Sequence, residues 1–153
     1  MSESPGTPFA RLFAVGYRVL IEELHTELRS RGWTDVRPAF GFVLLAARDT
    51  TSVSDLTTLM GMTKQATSKL VDGMVEAGYL ERSTSADDAR RQDLRLTSRG
   101  RALLEEVETV YGEMEGRWAQ EIGRRRVERM RTDLEELLTD PATKRLPPVR
   151  PLW

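Results

Sequence analysis

The sequence predicts a mainly α-helical chain with one small β-hairpin. Three observations carry this. Apolar residues recur three and four apart over most of the chain. The period falls to two in a pair of short runs around a polar loop. Two short, capped helical stretches meet at a single glycine, Gly61. With 153 residues, 39% hydrophobic and 31% charged, the chain can build a core beneath a well-solvated surface.

Composition removes several function classes. There is no cysteine, so disulfides, thiol nucleophiles and Cys-ligated zinc are out. His25 is the only histidine, which excludes a His-rich metal site, and it reads as a packed or surface residue. No apolar run reaches the roughly 18 residues that a membrane span needs. Met1 to Pro8 is rich in Ser, Pro and Gly without the apolar stretch of a signal peptide, so a cytoplasmic chain is expected. The net charge of −1 argues against non-specific coating of nucleic acid but leaves local charge to decide specific reading.

Residues 1–8 read as a flexible lead-in. A helix starts at Phe9, with Phe9, Leu12, Phe13, Val19, Leu20, Leu24 and Leu28 on one face, and Gly32 ends it. Pro38 suits the first turn of a second, strongly apolar helix carrying Phe40, Val43, Leu44 and Ala47. Ser52 followed by Asp55 has the spacing of an N-cap with an acid three residues on. That helix turns Leu56, Leu59 and Met60 inward, and Gly61 breaks it. Thr63 caps the next, from Lys64 to about Ala77, with Ala66, Leu70 and Met74 on the buried side. Gly78 sits where a C-terminal cap needs positive φ.

Tyr79–Arg82 and Gln92–Thr97 then alternate, with Leu94 and Leu96 inward, so the polar run Ser83–Arg91 is a hairpin loop. Thr97 or Ser98 caps a long helix bearing Leu103, Val107, Val110, Met114, Trp118 and Ile122. A last helix bears Val127, Met130, Leu134 and Leu137, and Pro141 stops it. Residues 141–153 form a proline-rich tail whose Leu146, Val149, Leu152 and Trp153 fit either disorder or docking on the dimer.

Two capped helices joined at Gly61 make a helix-turn-helix, and the hairpin that follows makes it winged. The second helix turns Lys64, Gln65, Ser68 and Lys69 outward, with Thr63 and Thr67 at the margins. Glutamine can bond adenine through two atoms, lysine reaches guanine or phosphate, and hydroxyls meet either. The uncapped N–H groups at such a helix start favour a phosphate. On an isolated helix these side chains would be only a solvated face; the cap, the preceding helix and the wing favour DNA. The loop Ala86–Arg91 places Arg90 and Arg91 near a tip, where arginine suits a narrow minor groove. Asp88 is expected to hold the Arg90 guanidinium through a fork-type bond. From Gly61 to Arg101 eight bases face six acids, a local +2 in a chain of −1, so placement matters more than bulk charge.

Ser52-Val-Ser-Asp-Leu, Met62-Thr-Lys-Gln-Ala-Thr-Ser-Lys-Leu-Val-Asp, Glu76-Ala-Gly-Tyr-Leu-Glu-Arg, Asp88-Ala-Arg-Arg and Leu94-Arg-Leu-Thr-Ser-Arg-Gly occur in this order and spacing. Together they resemble the MarR family. The likeness is sharpest from Thr51 to Gly100 and extends over roughly residues 9–140 as helix order. It implies a winged helix-turn-helix domain at 37–97 and a helical dimerisation region at 9–36 and 98–140. It also implies a homodimer on a pseudo-palindromic operator, with repression usually relieved by a small ligand. Ser68 and Lys69 carry over as recognition-helix contacts and Arg90 as the wing arginine. Family members that sense through cysteine or zinc are no guide to a chain lacking those ligands.

Trp33, Phe40 and Phe42 could line an effector pocket in which Arg37 meets a carboxylate; the alternative is core packing. Trp118 reads as dimer core, and the methionines at helical spacing read as packing. Glu105, Glu106, Glu108, Glu113 and Glu115 read as a solvated face with some ion pairs. No catalytic set and no cofactor site emerge, so the chain reads as a DNA-binding regulator and not an enzyme. The alternative is a protein-interaction module that kept the winged fold without DNA binding.

Overall fold

The computed structural model describes residues 6–151; the expectations for residues 1–5 and for Leu152 and Trp153 lie outside the described residues. In chain order the elements are α1 (Phe9–Ser30), α2 (Pro38–Ala46), β1 (Thr51–Ser52), α3 (Val53–Met60), α4 (Lys64–Glu76), β2 (Leu80–Thr84), β3 (Gln92–Leu96), α5 (Ser98–Ile122) and α6 (Arg124–Leu138). The fold is mainly helical with a three-stranded antiparallel sheet in the order β1-β3-β2.

The helix ends follow local chemistry. Ser52 Oγ accepts from Asp55 N at 3.1 Å, Thr63 Oγ1 from Ala66 N at 3.1 Å, and Thr97 Oγ1 from Gly100 N at 3.0 Å. Each satisfies one of the amides that a helix start leaves unpaired. At the end of α4, Gly78 N bonds Val75 O at 3.0 Å and Tyr79 N bonds Met74 O at 2.9 Å, with Gly78 at φ 81°. This two-bond closure needs the left-handed backbone that glycine adopts without strain.

The core joins α2, α3, α4, the sheet and the first turns of α5: Val43, Leu44, Leu56, Val71, Met74, Tyr79, Leu94 and Leu103 are all buried. Leu24 and Leu28 of α1 and Val110 and Met114 of α5 extend it as those two helices pack together. Arg31 ties the end of α1 to α5 through Glu106 at 2.7 Å and Glu113 at 2.5 Å. Glu115 pairs with Arg131 of α6 at 2.6 Å.

Two expectations need correction. The inward stripe of α4 is Thr67, Val71 and Met74, not Ala66, Leu70 and Met74; Ala66 and Leu70 are half-buried. Thr67 can take an inward position because its hydroxyl donates to Thr63 O at 3.0 Å, so its burial strands no polar atom. Strand β1 adds a third strand to the expected hairpin, and its two residues are too few to display alternation; it pairs Thr51 with Leu94 and Ser52 with Asp93.

Candidate nucleic-acid interface

The turn from α3 into α4 passes through Gly61 at φ 61°, and Met62 is half-buried against the core. The start of α4 therefore projects from the domain. Thr63, Lys64, Gln65 and Lys69 are exposed, and Ser68 is half-buried. Thr67 is fully buried, so it supports the helix and does not face outward. Among the described residues, no ion pair holds Lys64, Lys69 or Arg90.

The wing is braced to this lobe. Arg91 donates to Asp55 Oδ2 of α3 at 2.7 Å and to Asp93 Oδ1 at 3.3 Å, which couples the loop to the first helix of the motif. Arg82 of β2 donates to Asp72 of α4. The wing bonds Arg90 differently from the sequence expectation: Asp88 Oδ1 accepts from the Arg90 backbone N at 2.9 Å, not from its guanidinium. An aspartate two residues ahead closes a local turn more readily than it meets a long side chain pointing away. The Arg90 side chain is left exposed.

Between α4 and the wing lies an open cleft of about 510 Å³, lined by Ser52, Val53, Ser54, Asp55, Lys64, Ser68, Arg82, Asp88, Arg90, Arg91 and Gln92. It brings Lys64, Ser68, Asp88, Arg90 and Arg91 into one concavity; Gln65 and Lys69 lie outside its lining. Ser54, Arg82 and Gln92 were not singled out by sequence, although Ser54 sits in the first turn of a capped helix, where an anion is favoured. The cations on this face without an ion pair are Lys64, Lys69 and Arg90, and Asp88 in the cleft is an acid without one, so attraction to a polyanion comes from few, well-placed groups.

Trp33, Arg37 and Phe40 do not share one pocket. Trp33 and Phe40 pack on Tyr79, with ring centroids 6.2 and 5.9 Å away. The Arg99 guanidinium lies 5.3 Å from the Trp33 ring and 4.8 Å from the Tyr79 ring. Arg37 and Phe40 do meet in a shallow cleft of about 270 Å³ that also includes Lys69 and Glu76. A more apolar pocket of about 100 Å³ lies between α1, α2 and α5, lined by Tyr17, Ile21, Leu24, His25, Leu28, Val36, Arg37, Gly41, Phe42, Val107, Glu108 and Tyr111, among others. Phe42 and Arg37 of the expected set are here. The 17, 21, 24, 28 spacing along α1 carries the signal for this wall, which the sequence reading merged with the rest of the helix face.

Burial, then Tyr17 and Glu108, pushes the Tyr111 phenol up to about 12; burial also raises Tyr17. His25 is lowered, by burial first and Arg29 second. Tyr17, Tyr111 and His25 are thus neutral at neutral pH, and Arg37 and Glu108 are the charged members of the pocket wall. It suits an apolar or aromatic molecule with at most one anionic group.

Among the described residues, no cluster of His, Asp or Glu could hold a metal ion, and no helix is long and apolar enough to cross a membrane.

Residues 42–91 match the model of the MarR family. No curated protein is matched by the sequence. The fold is similar to the reduced form of MarR from E. coli, with a TM-score of 0.73 and 20% identity over 88% of this chain and 99% of that one. It is similar to a mutant of MepR from S. aureus bound to an oligodeoxyribonucleotide, with a TM-score of 0.61 and 20% identity over 86% and 96%. MepR from S. aureus bound to ethidium bromide gives 0.60 and 21% over 88% and 97%.

Proposed function

From the premise that residues 42–91 are a MarR-family segment within a chain carrying the fold of MarR-family transcriptional regulators, we propose that the protein is a homodimeric, sequence-specific DNA-binding regulator. It acts in the cytoplasm as a repressor relieved by a small molecule. The start of α4 enters a major groove with Lys64, Gln65, Ser68 and Lys69, and Arg90 enters the neighbouring minor groove. The carrying observation is the unpaired Lys64 and Arg90 facing one cleft on a braced wing, with Lys69 exposed beside it on α4. Two such lobes address half-sites about one DNA turn, or roughly 10 base pairs, apart.

The mutant MepR bound to an oligodeoxyribonucleotide supports the DNA partner, and MepR with ethidium bromide supports a small-molecule effector. The apolar pocket between α1, α2 and α5 is the effector site of this reading, because it touches both the long helices and the winged lobe. A ligand relieves repression only if it binds one dimer shape better than the other.

Fluorescence anisotropy against duplexes from the protein's own upstream region tests the reading. Binding should be salt-dependent and sequence-selective. Lys69→Ala should weaken it by about 1–3 kcal/mol with relaxed specificity if Lys69 reads a base. If Lys69 meets only phosphate, weakening should be uniform and the salt slope should fall by about 0.9. A chain with no salt-sensitive affinity for any duplex would instead be the protein-interaction module.

A further inference from the structure

We propose that the proline-rich segment after α6 is a strap across the mouth of the apolar pocket, which a small apolar molecule must lift in order to enter. The proposal rests on the reading of that pocket as the effector site and adds an occupant supplied by the chain itself.

The segment is directed by a built turn. Asp140 Oδ1 accepts from Ala142 N at 2.7 Å and Thr143 N at 2.9 Å. Lys144 N donates to Asp140 O at 2.8 Å, and Asp140 N donates to Arg145 O at 3.0 Å. Lys144 has φ 57°, the one non-glycine residue with positive φ among those described. That conformation is uncommon for a side-chain-bearing residue and persists where surrounding bonds fix it. Together these bonds reverse the chain as it leaves α6.

Leu146 then lines a groove with Trp118 of α5 and Val127, Met130 and Leu134 of α6. Three residues on, Val149 lines the apolar pocket with Tyr17 and Tyr111. The span is consistent with the intervening chemistry. The groove meets α5 at Glu115 and Trp118 and the pocket meets it at Glu108 and Tyr111, seven residues earlier. Seven residues of α-helix rise about 10 Å. From Leu146 to Val149 the chain passes Pro147 and Pro148, and three residues in an extended proline helix cover about 9 Å. The proline pair is a stiff spacer that sets Val149 over the mouth when Leu146 is seated in its groove.

Val149 remains 57% exposed and Leu146 52% exposed, so the strap covers its sites from outside and does not fill them. A cover held this lightly competes with a ligand by mass action. It lowers apparent affinity by the fraction of time that it is down.

The test uses fluorobenzene followed by ¹⁹F NMR in the full chain, a probe of the small aromatic class that the pocket lining suits. Val149→Asp replaces the apolar contact of the strap with a hydrated carboxylate and should lift it, tightening fluorobenzene binding by about fivefold or more. Pro147→Gly with Pro148→Gly loosens the spacer and should tighten it in the same direction. Val149→Ile should restore the parent affinity. Gly41 lines the pocket, and a Cβ there meets nothing within 4 Å, so Gly41→Leu should fill the pocket and abolish binding in the Val149→Asp background. Equal affinity in the parent and both lifted variants would overturn the strap while leaving the pocket reading intact. No binding in any of them would sink both, and binding that survives Gly41→Leu would place the ligand elsewhere and overturn the strap.

Discussion

At the scale of single residues, the atom that makes a contact decides what a substitution does. Asp88 holds Arg90 through the backbone N at 2.9 Å. Asp88→Asn keeps that acceptor, so operator affinity measured by anisotropy should stay within about twofold of the parent. Asp88→Ala removes it and should cost about 1 kcal/mol, the usual net worth of one such bond. Had the carboxylate paired with the guanidinium, both variants would be similarly weak, and that result would reject the turn as the positioning device. Tyr79 makes a second case. Its phenol donates to Asp35 and accepts from Arg99 at 3.2 Å. Burial first, and Asp35 second, push its pKa up to about 12 from 10.0. The folded state resists the phenolate, so this contribution is complete below pH 10 and is lost as pH rises through about 12. Melting temperature should therefore fall across that window, and the fall should be shallower in Tyr79→Phe. Tyr111 is raised to the same region and accounts for the residual slope. An unchanged slope in Tyr79→Phe would contradict the assignment.

At the scale of elements, two glycines on helices behave oppositely. Gly100 lies in the first turn of α5, where a Cβ would stand 2.1 Å from the Tyr79 carbonyl oxygen. That oxygen also accepts from Thr97 N at 3.1 Å, so it is held and cannot retreat. Gly100→Ala must push α5 off the end of α4, and thermal unfolding should show a loss of about 3 kcal/mol, the upper range for overpacking. Gly73 on the exposed side of α4 has open space at its Cβ. Gly73→Ala should stabilise by about 0.5–1 kcal/mol through helix propensity alone. A mild Gly100→Ala would mean that the helix junction is plastic. The same junction marks what could be read in advance. The caps at Ser52, Thr63 and Thr97 and the positive φ at Gly78 are legible because each rests on bonds between residues three to five apart. The pairs Arg91–Asp55, Arg82–Asp72 and Arg99–Asp35 were not, because they join positions 10 to 64 residues apart that only tertiary folding brings together. Thr67 was misplaced for a related reason: its polarity reads as surface until the Thr63 carbonyl that satisfies it is in view. Of the residues read as effector lining, Trp33 and Phe40 pack on Tyr79, a contact between distant positions, whereas Arg37 and Phe42 line the apolar pocket.

At the scale of the whole molecule, apolar surface is concentrated away from the cleft between α4 and the wing. Phe9, Leu12, Phe13, Val15 and Val19 are exposed on α1, and Trp118, Ile122, Met130, Leu137 and Leu138 on α5 and α6. The Phe9 and Phe13 rings stack at 6.1 Å, presenting a flat aromatic face to solvent. Scattered apolar residues are ordinary on a surface, but contiguous ones along helix faces mark an interface. In a homodimer a second copy covers them, as the proposed function requires. Phe13→Asp with Leu137→Asp places charge on both parts of this surface while leaving the Leu56, Val71, Tyr79 and Leu94 core of the lobe untouched. The variant should sediment as a monomer with its winged lobe still folded by circular dichroism. Operator affinity should fall at least 100-fold, because two linked half-site contacts gain about 10²–10⁴ over either alone. The salt slope should fall as well, since fewer phosphates are met per binding event. A dimer that persists through both substitutions would move the interface elsewhere. A monomer that still binds the full operator at parent affinity would show that one lobe suffices, and the two-fold reading of the site would have to be given up.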